Sequence, residues 1–389
     1  MYKVKKRSIY TATVFVFYII VAGFTAEAQS LKSILSRTAS WYSSSEAVQI
    51  AENVLLFQRN TGGWAKGKDY FRKYTEEEKN QISNQKRKRD STFDNDATYT
   101  ELEYLARIFS ATGDLRYRDA INRGLDMIFD AQYDNGGWPQ FYPEFNTQWS
   151  WDNSAWVPQG LERFITYNDH AMIGIMHLLK KLTEEHPHFS FVDSQRKEMA
   201  DEAMKKGIQC ILKSQFYYDN RLTAWPAQVD EVTFEPKWAR NFESPSIASD
   251  ESVGIIRFLM ELEQPSPEVI CAIQSAVTWL DEVKILHTRI EEGDTMTVML
   301  EDRNVPKYGR KDVWIVHDEK ASPVWARFYE LNTFRPVFLS RDDTVRHNLS
   351  DISLERRSGY RWYGYWPGKL LQEEYPEWCK RNQVRNVLK

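Results

Sequence analysis

One motif constrains the fold of this chain more than any other: a glutamine at the end of a helical stretch, followed by a turn and a tryptophan. It occurs as Gln58-Arg-Asn-Thr-Gly-Gly-Trp64, as Gln132-Tyr-Asp-Asn-Gly-Gly-Trp138, and in a longer form from Gln215 to Trp225, so the tryptophans lie 74 and 87 residues apart. A repeat of this size is a helical hairpin, which buries its apolar face only by packing on further copies. We therefore expect an all-α-dominated fold, a toroid of helical hairpins.

Apolar residues at helical spacing support this expectation. The predicted helices cover residues 46–58, 97–112, 115–131, 170–183, 197–214, 251–263 and 267–284. Strand alternation is scarce, and Thr295–Leu300 and Val313–Val316 are the main candidates for small β elements. Long segments rich in Trp, Pro, Asn and Asp separate the helices at 60–96, 134–169, 219–250 and 302–368. Loops of this length are usually functional, and we expect them to form the walls of a cleft on one side of the repeat.

The first residues have the pattern of an export signal. Four basic residues between Lys3 and Arg7 precede an apolar run from Ala12 to Phe24, and Ala26-Glu-Ala28 supplies the small residues of a cleavage site. The run is short for a membrane anchor, which is the alternative. We predict a signal peptide at 1–28, a single catalytic domain at 29–389, and a secreted protein, periplasmic or extracellular, without stable membrane association.

The overall charge argues against nucleic acid as a partner. The chain carries a net charge of -4, and removal of residues 1–28 takes away four basic residues and one acidic residue, which leaves -7. An acidic protein is not a general binder of nucleic acid. A polyanion would be bound only where basic residues are concentrated in one groove.

Two acidic clusters stand at matching places in the repeat. Asp94-Asn95-Asp96 and Asn168-Asp169 each precede a predicted helix, and Asp94 lies 30 residues after Trp64 while Asp169 lies 31 after Trp138. Asn and Asp are favoured helix caps, so a purely structural role is the alternative. The spacing instead predicts that Asp94 and Asp169 lie on one rim, where carboxylates and an amide suit Ca²⁺.

Arginines follow in the later segments in related contexts. Trp238-Ala-Arg240 and Trp325-Ala-Arg327 are similar, and Arg335 and Arg341 come shortly after the second. These arginines could pair with aromatic rings to hold the fold, or several guanidinium groups could bind carboxylates of a ligand. The second interpretation predicts an anionic substrate bridged by a metal ion. Because aromatic faces suit sugar rings, we also expect Trp225 in the cleft wall as a substrate contact.

At these residues the chain resembles the pectate lyases of polysaccharide lyase family 10, over residues 40 to 370. The resemblance lies in blocks that follow the family order, namely Asn60–Trp64, Asp94–Asn95, Ile165–Asp169, Thr223–Gln228, Trp238–Arg240, Trp325–Glu330, Arg335–Pro336, Arg341–Asp342 and Arg357–Gly364. It implies an (α/α)3 toroid with a substrate cleft, and calcium-dependent cleavage of polygalacturonate by β-elimination to unsaturated oligogalacturonides. We expect a monomer.

The resemblance also implies roles for individual residues. Asp94, Asn95 and Asp169 match positions around the calcium ion and the substrate carboxylate, with the two aspartates as metal ligands and Asn95 as a substrate contact. Arg240 matches the catalytic base. Arg327 and Arg341 match substrate-binding arginines.

The sequence departs from the family pattern at three positions. Val229 stands where histidine is often found, Ala65 where proline is common, and His170 where a small or acidic residue is frequent. We expect these departures to affect the subsite preference rather than the reaction.

Two other classes of protein remain as alternatives. Isoprenoid cyclases share a Gln-to-Gly-x-Trp repeat on a helical toroid, but this chain has no Asp-x-Asp-Asp motif. A carbohydrate hydrolase or a binding protein could use the same toroid, and a hydrolase would need two carboxylates in acid and base roles, for which Asp94 and Asp169 are available.

Overall fold

The computed structural model describes residues 30–142 and 161–388. The predicted signal peptide lies outside these residues, as does part of the segment 134–169. The helices are α1 (Leu31–Ile34), α2 (Ser45–Phe57), α3 (Glu76–Asn84), α4 (Tyr99–Thr112), α5 (Leu115–Asp130), α6 (Ala171–Thr183), α7 (Ser194–Ser214), α8 (Ser249–Met260), α9 (Pro267–Glu282), α10 (Leu354–Gly359), α11 (Trp366–Lys369) and α12 (Tyr375–Asn382). Within the described ranges, no helix has both the length and the apolar character needed to cross a membrane.

The strands are short, apart from one ribbon, and form antiparallel pairs. They are β1 (Ser91–Thr92), β2 (Phe141–Tyr142), β3 (Ile165–Thr166), β4 (Tyr217–Tyr218), β5 (Arg221–Leu222), β6 (Gln228–Val229), β7 (Ser246–Ala248), β8 (Thr288–Leu300), β9 (Val305–His317), β10 (Trp325–Ala326), β11 (Phe328–Glu330), β12 (Phe338–Leu339), β13 (Val345–Arg346) and β14 (Tyr363–Gly364).

Three helical hairpins, α4–α5, α6–α7 and α8–α9, stack side by side in two layers. The inner helices α4, α6 and α8 contact one another in turn, and so do the outer helices α5, α7 and α9. The sequence explains the layering, because α6 is apolar nearly all round and buries eight of its 13 residues, whereas α5 buries one stripe and exposes the other face. The expected (α/α)3 toroid and its seven predicted helices are confirmed.

The repeated glutamines hold neighbouring hairpins together. Each side-chain amide donates one hydrogen bond to the turn that follows it and a second to a carbonyl oxygen of the outer helix of the next hairpin. The second acceptors are Ala120 for Gln58, Ala203 for Gln132 and Ala272 for Gln215, at 2.8, 2.9 and 2.9 Å. The recurrence of glutamine therefore reflects a clamp between successive repeats.

The repeated tryptophans are core residues, and the structure adds a fourth copy at Trp325. Each indole N–H donates to a backbone carbonyl of a helix that precedes it in the chain. The pairs are Trp64 with Val54, Trp138 with Ile128, Trp225 with Ile211 and Trp325 with Leu280, at 2.7 to 2.9 Å. All four side chains are buried, so they fix the end of each turn against its helix.

The glycines of the motif allow a close approach between turn and helix. Gly62 and Gly136 have φ of +103° and +93°, and a Cβ atom there would lie 2.1 Å from the carbonyl oxygen of Arg123 and 2.0 Å from that of Lys206. The copy at Gln215 lacks this pair and instead uses the β4–β5 hairpin, which explains its greater length.

The ribbon β8–β9 is much longer than predicted. The sequence indicated two short strands, but the two antiparallel strands have 13 residues each. The ribbon packs on α10, and most of its residues remain at least partly exposed. Charged residues on both faces hide the alternation that normally identifies a strand.

Candidate active site

Small strand pairs gather the long segments at one side of the toroid. In each of the pairs β1–β2, β3–β6 and β7–β11, the first strand lies just before an inner helix and the second follows the next repeated tryptophan in the chain. The amides of Thr92, Thr166 and Ala248 donate to the carbonyls of Trp64, Trp138 and Trp225. The residues that follow these strands therefore lie at equivalent places around one rim.

The two acidic clusters form adjacent turns on this rim, at residues 94–96 and 168–170. In each turn two consecutive residues have positive φ. The first of the two is Asn95 in one turn and Asp169 in the other, with φ of 52° and 51°. Asp94 is thus equivalent to Asn168, and Asn95 to Asp169. The sequence alignment of Asp94 with Asp169 was wrong by one residue, although both lie on one rim as expected. Asn and Asp tolerate this backbone conformation better than most residues, and strain of this kind clusters at functional sites.

Asp94 is completely buried and carries an unsatisfied atom. Its Oδ2 accepts hydrogen bonds from Lys66 Nζ and, at 3.3 Å, from Arg240 Nη2. Its Oδ1 has no hydrogen-bond partner among the described residues. Lys66 was not identified from the sequence, although it follows Trp64 by two residues just as Arg327 follows Trp325.

Arg240 lies at the centre of the cluster. Its Nη2 is 3.3 Å from both Asp94 Oδ2 and Asp169 Oδ2, and its Nη1 donates to Glu243 Oε1 at 2.8 Å. Burial alone would lower the pKa of this guanidinium, but Glu243, Asp94 and Asp169 together raise the pKa well above its ordinary value. With these partners in place, Arg240 is a fixed cation.

Asp169 is held by two arginines. Arg327 Nη2 donates to Asp169 Oδ1 at 3.0 Å, and Arg240 contacts the other oxygen. Burial raises the pKa of Asp169, but the two guanidinium groups outweigh burial and lower the pKa below its ordinary value. Arg327 is also bound by the buried carboxylate of Glu251 and by Asn168 Oδ1 at 3.0 Å.

Glu243, Glu251 and Tyr360 complete the cluster and were not assigned roles from the sequence. The Tyr360 hydroxyl donates to Glu243 Oε1 at 2.8 Å, and its ring lies 4.7 Å from the Arg327 guanidinium carbon. Glu243 could have been found from its place three residues after Arg240, since the tight turn between them makes the two side chains adjacent.

The other predicted site residues fall into two groups. Asn95 is exposed beside Asp94. Arg341 lies close to the cluster, because its carbonyl accepts a hydrogen bond from Asn241 at 2.9 Å and its guanidinium binds Glu355 at 3.0 Å. Two residues lie elsewhere: the structure corrects the prediction for Trp225, and the role of Arg335 stays a prediction.

Trp225 is wholly buried in the repeat, so its ring cannot stack on a sugar. Arg335 lies exposed in the turn after β11, and no contact among the described residues joins it to the carboxylate cluster. Trp225 and Arg335 were predicted as substrate contacts because their residue types suit an anionic sugar. Residue type alone does not show the direction in which a side chain points.

A third copy of the rim lies at the start of α8. Asp250 holds the place of Asp94 and Asn168, and burial together with the neighbouring Glu251 raises its pKa. His170 Nε2 lies 3.9 Å from Asp250 Oδ1. Gly254 makes room for the His170 ring, since a Cβ there would lie 2.7 Å from His170 Nδ1. The histidine that departs from the family pattern is therefore accommodated by a glycine on the next inner helix.

The donor chemistry of the cluster fits a hard divalent cation. Asp94 offers an unpaired carboxylate oxygen, and Asp169 lies on the adjacent turn with 24% of its side chain exposed. Ca²⁺ takes oxygen ligands and completes its coordination with water or substrate. No group of three or more His, Cys, Asp or Glu side chains in the described ranges is arranged to hold a metal ion, so within these ranges the candidate ligands are the two carboxylates.

Comparison with known proteins agrees with this architecture. Residues 58–371 match the family model for pectic acid lyase. A family 10 polysaccharide lyase from Cellvibrio cellulosa is 26% identical with a TM-score of 0.68, and the match covers 91% of this chain and 95% of that one. A mutant family 10 enzyme from the same organism, in complex with trigalacturonic acid, has the same identity and TM-score and covers 91% of this chain and 98% of its own. No curated protein sequence matches the chain.

Proposed function

We propose that this chain, which belongs to the pectic acid lyase family and is a pectate lyase, cleaves α-1,4-polygalacturonate by calcium-dependent β-elimination and releases unsaturated oligogalacturonides. The observation that carries the proposal is the position of Arg240, 3.3 Å from both Asp94 and Asp169 on one rim of the toroid. Guanidinium groups and oxygen ligands for a metal thus meet where an anionic sugar could be held.

The reaction requires removal of a proton from C5 of a uronate, next to its carboxylate. Loss of this proton places additional negative charge on the carboxylate, so the rate depends on positive charge fixed beside it. Calcium held by Asp94 and Asp169 would supply part of that charge. Arg327 and Arg341 are positioned by Glu251 and Glu355 and would bind uronate carboxylates. Asn95, which is exposed next to Asp94, would be a further substrate contact.

Arg240 is the candidate for the base that takes the C5 proton. Its carboxylate partners raise its pKa, which opposes this role while they remain paired with it. The role therefore requires that cations other than Arg240 neutralise Asp94 and Asp169 in the working enzyme. Because a guanidinium cation cannot accept a proton, Arg240 would first release one of its own protons to solvent. The neutral group would then take the C5 proton as the C4–O bond to the departing chain breaks, and water would protonate the departing oxygen.

The reaction itself is tested with polygalacturonate in the presence of Ca²⁺ or EDTA. A lyase forms a C4–C5 double bond, so ultraviolet absorbance rises with calcium and stays flat with EDTA. A hydrolase would produce reducing ends without absorbance. A binding protein or a cyclase would produce neither, and either result would overturn the proposal.

The role of Arg240 is tested by Arg240→Lys and Arg240→Ala. We expect kcat to fall by at least about 10²-fold in both, the lower range for loss of a positioned acid–base group, with circular dichroism unchanged for the lysine variant. Arg118→Ala is the matched control, since this arginine lies on the outer helix α5 with 40% of its side chain exposed, and should leave kcat within about twofold, as expected of a surface substitution. Near-normal turnover by Arg240→Ala would remove Arg240 from the mechanism.

We also propose that the protein is exported through residues 1–28 and acts as a monomer on an anionic polysaccharide. The basic residues, apolar run and small residues near Ala28 support export. Mass spectrometry of the protein recovered outside the cytoplasm should give Gln29 as its first residue, and light scattering should give the mass of one chain. Retention of residues 1–28 would contradict the proposed cleavage.

A further inference from the structure

Lys66 is the closest charged neighbour of Asp94, the most buried acid of the rim. The lysine Nζ pairs with Oδ2 of a carboxylate that has no exposed surface, while 31% of the lysine side chain is exposed. The other carboxylate oxygen, Oδ1, has no partner in the described parts of the chain. Lys66 therefore stands between the solvent and an incompletely satisfied carboxylate.

The repeat shows how Lys66 differs from the arginine at the equivalent place. The position two residues after each repeated tryptophan holds Lys66, Gln140, Ala227 and Arg327 in turn. Arg327 binds Asp169 but is also fixed by Glu251, whose side chain is 1% exposed. The described ion pair of Lys66 is with Asp94 itself, and its other described neighbour is the ring of Phe141 at 6.0 Å. Lys66 can leave its acid without abandoning a second buried charge, whereas Arg327 cannot.

The charge of the cluster makes this difference important. Four carboxylates, those of Asp94, Asp169, Glu243 and Glu251, face the three cations Lys66, Arg240 and Arg327. The cluster has a net charge of -1 with Lys66 present, and -2 without it. The second value is the charge that one divalent cation neutralises.

We propose that Lys66 is an internal counter-cation that occupies Asp94 in the calcium-free protein and competes with calcium for that carboxylate. The inference rests on the proposed function, since it takes calcium as the metal. Lys66 stabilises the calcium-free form of the protein at the expense of metal affinity. When a divalent cation takes Asp94, the displaced lysine stays on the rim as an additional positive charge for a uronate carboxylate.

The test is a calorimetric titration of Ca²⁺ into the substrate-free mature protein at low ionic strength. Lys66→Met keeps the length of the side chain and removes its charge, and Lys66→Arg keeps the charge. We expect the Kd for calcium to fall by at least about tenfold in Lys66→Met, because a cation removed from contact with a metal ligand no longer repels the ion even after solvent screening. Lys66→Arg should bind calcium like the wild type. The difference should shrink as NaCl is added.

Lys32→Met provides a matched control. Lys32 pairs with Asp96 at 2.8 Å, two residues from Asp94, but 64% of its side chain is exposed, so its removal should change the Kd by less than about threefold, as expected of a screened surface charge. Equal or weaker calcium binding by Lys66→Met, or no calcium binding by any of these proteins, would overturn the inference. Because the titration contains no substrate, failure here is separate from failure of the absorbance assay, which judges the lyase activity alone.

Discussion

The carboxylate of Glu243 accepts hydrogen bonds from Arg240 and Tyr360 on one oxygen, at 2.8 Å each, and from Asn168 on the other at 3.2 Å. Only 1% of its side chain is exposed. Three segments that are distant in sequence thus depend on one buried acid. Among the charges near Arg240, Glu243 contributes most to its raised pKa.

Glu243→Gln removes that charge while keeping the size of the side chain. Breaking a buried ion pair leaves an uncompensated charge, so we expect the free energy of unfolding to fall by about 3 kcal/mol. We also expect kcat to fall more than KM rises, since the position of Arg240 changes. Urea denaturation and steady-state kinetics measure the two effects. Glu235→Gln, an exposed acid on the neighbouring turn, should change neither; a purely thermodynamic effect of Glu243→Gln would limit Glu243 to a structural role.

At the scale of single residues, the sequence identifies site residues whose chemical type suits the site and whose position recurs in the repeat. Asp94, Asp169, Arg240 and Arg327 meet in the cluster as expected, although their roles stay predictions. Glu243 and Lys66 were missed because acids and lysines are common surface residues, and only the fold shows which of them contact Arg240 and Asp94. Trp225 was misplaced because a conspicuous aromatic residue serves a core as well as it serves a sugar.

At the scale of the repeated element, Gln215 makes the same contacts as Gln58 and Gln132. Its amide donates to the carbonyls of Thr223 at 2.8 Å and Ala272 at 2.9 Å, and it is 5% exposed. The second bond joins the end of α7 to α9. The clamp therefore stabilises the contact between two hairpins rather than one helix.

Gln215→Leu tests the clamp, since it keeps the volume, leaves the carbonyl of Thr223 without this donor and removes the second donor of the Ala272 carbonyl, which keeps its bond within α9. Each lost bond of this kind costs on the order of 1–3 kcal/mol, so we expect a loss of about 3 kcal/mol in the free energy of unfolding. Gln195→Leu, at an exposed position in the first turn of α7, should cost less than about 0.5 kcal/mol. Equal stability of the two variants in urea denaturation would show that the clamp contributes little.

The helices of the repeat were predictable from the sequence. Each helix packs on the helices of the neighbouring hairpins, and this packing requires apolar residues at helical spacing. The helices α5 and α9 end within two residues of the predicted bounds. The spacing itself identifies Asn168 as the equivalent of Asp94, since each lies 30 residues after its tryptophan, but the sequence prediction followed the charge and chose Asp169. The ribbon β8–β9 was underestimated because pairing between its strands, rather than burial, extends it.

At the scale of the whole molecule, the pH dependence of stability combines buried acids whose pKa values are shifted in opposite directions. Asp169 has a lowered pKa, so its contribution to stability is present above the pKa of the unfolded chain and is lost as the pH falls through the folded value. Glu101 has the opposite tendency. Burial above all raises its pKa to about 7, and the Tyr70 hydroxyl donates to its Oε1 at 2.9 Å. This contact joins the segment after Trp64 to the inner helix α4.

Because the folded protein binds the proton of Glu101 more tightly than the unfolded chain does, the stability from this group is fully present below its ordinary pKa, near 4.5, and is lost as the pH rises through about 7. At about 1.4 kcal/mol per pKa unit, the loss is on the order of 3 kcal/mol. Urea denaturation at pH 5 and pH 8 should show this decline in the wild type and in Glu301→Gln, an exposed acid at the turn of the ribbon, but not in Glu101→Gln, where no proton is released. A constant difference between wild type and Glu101→Gln at both pH values would mean that Glu101 is ionised throughout, and that the contact between Tyr70 and α4 is held by a charged carboxylate.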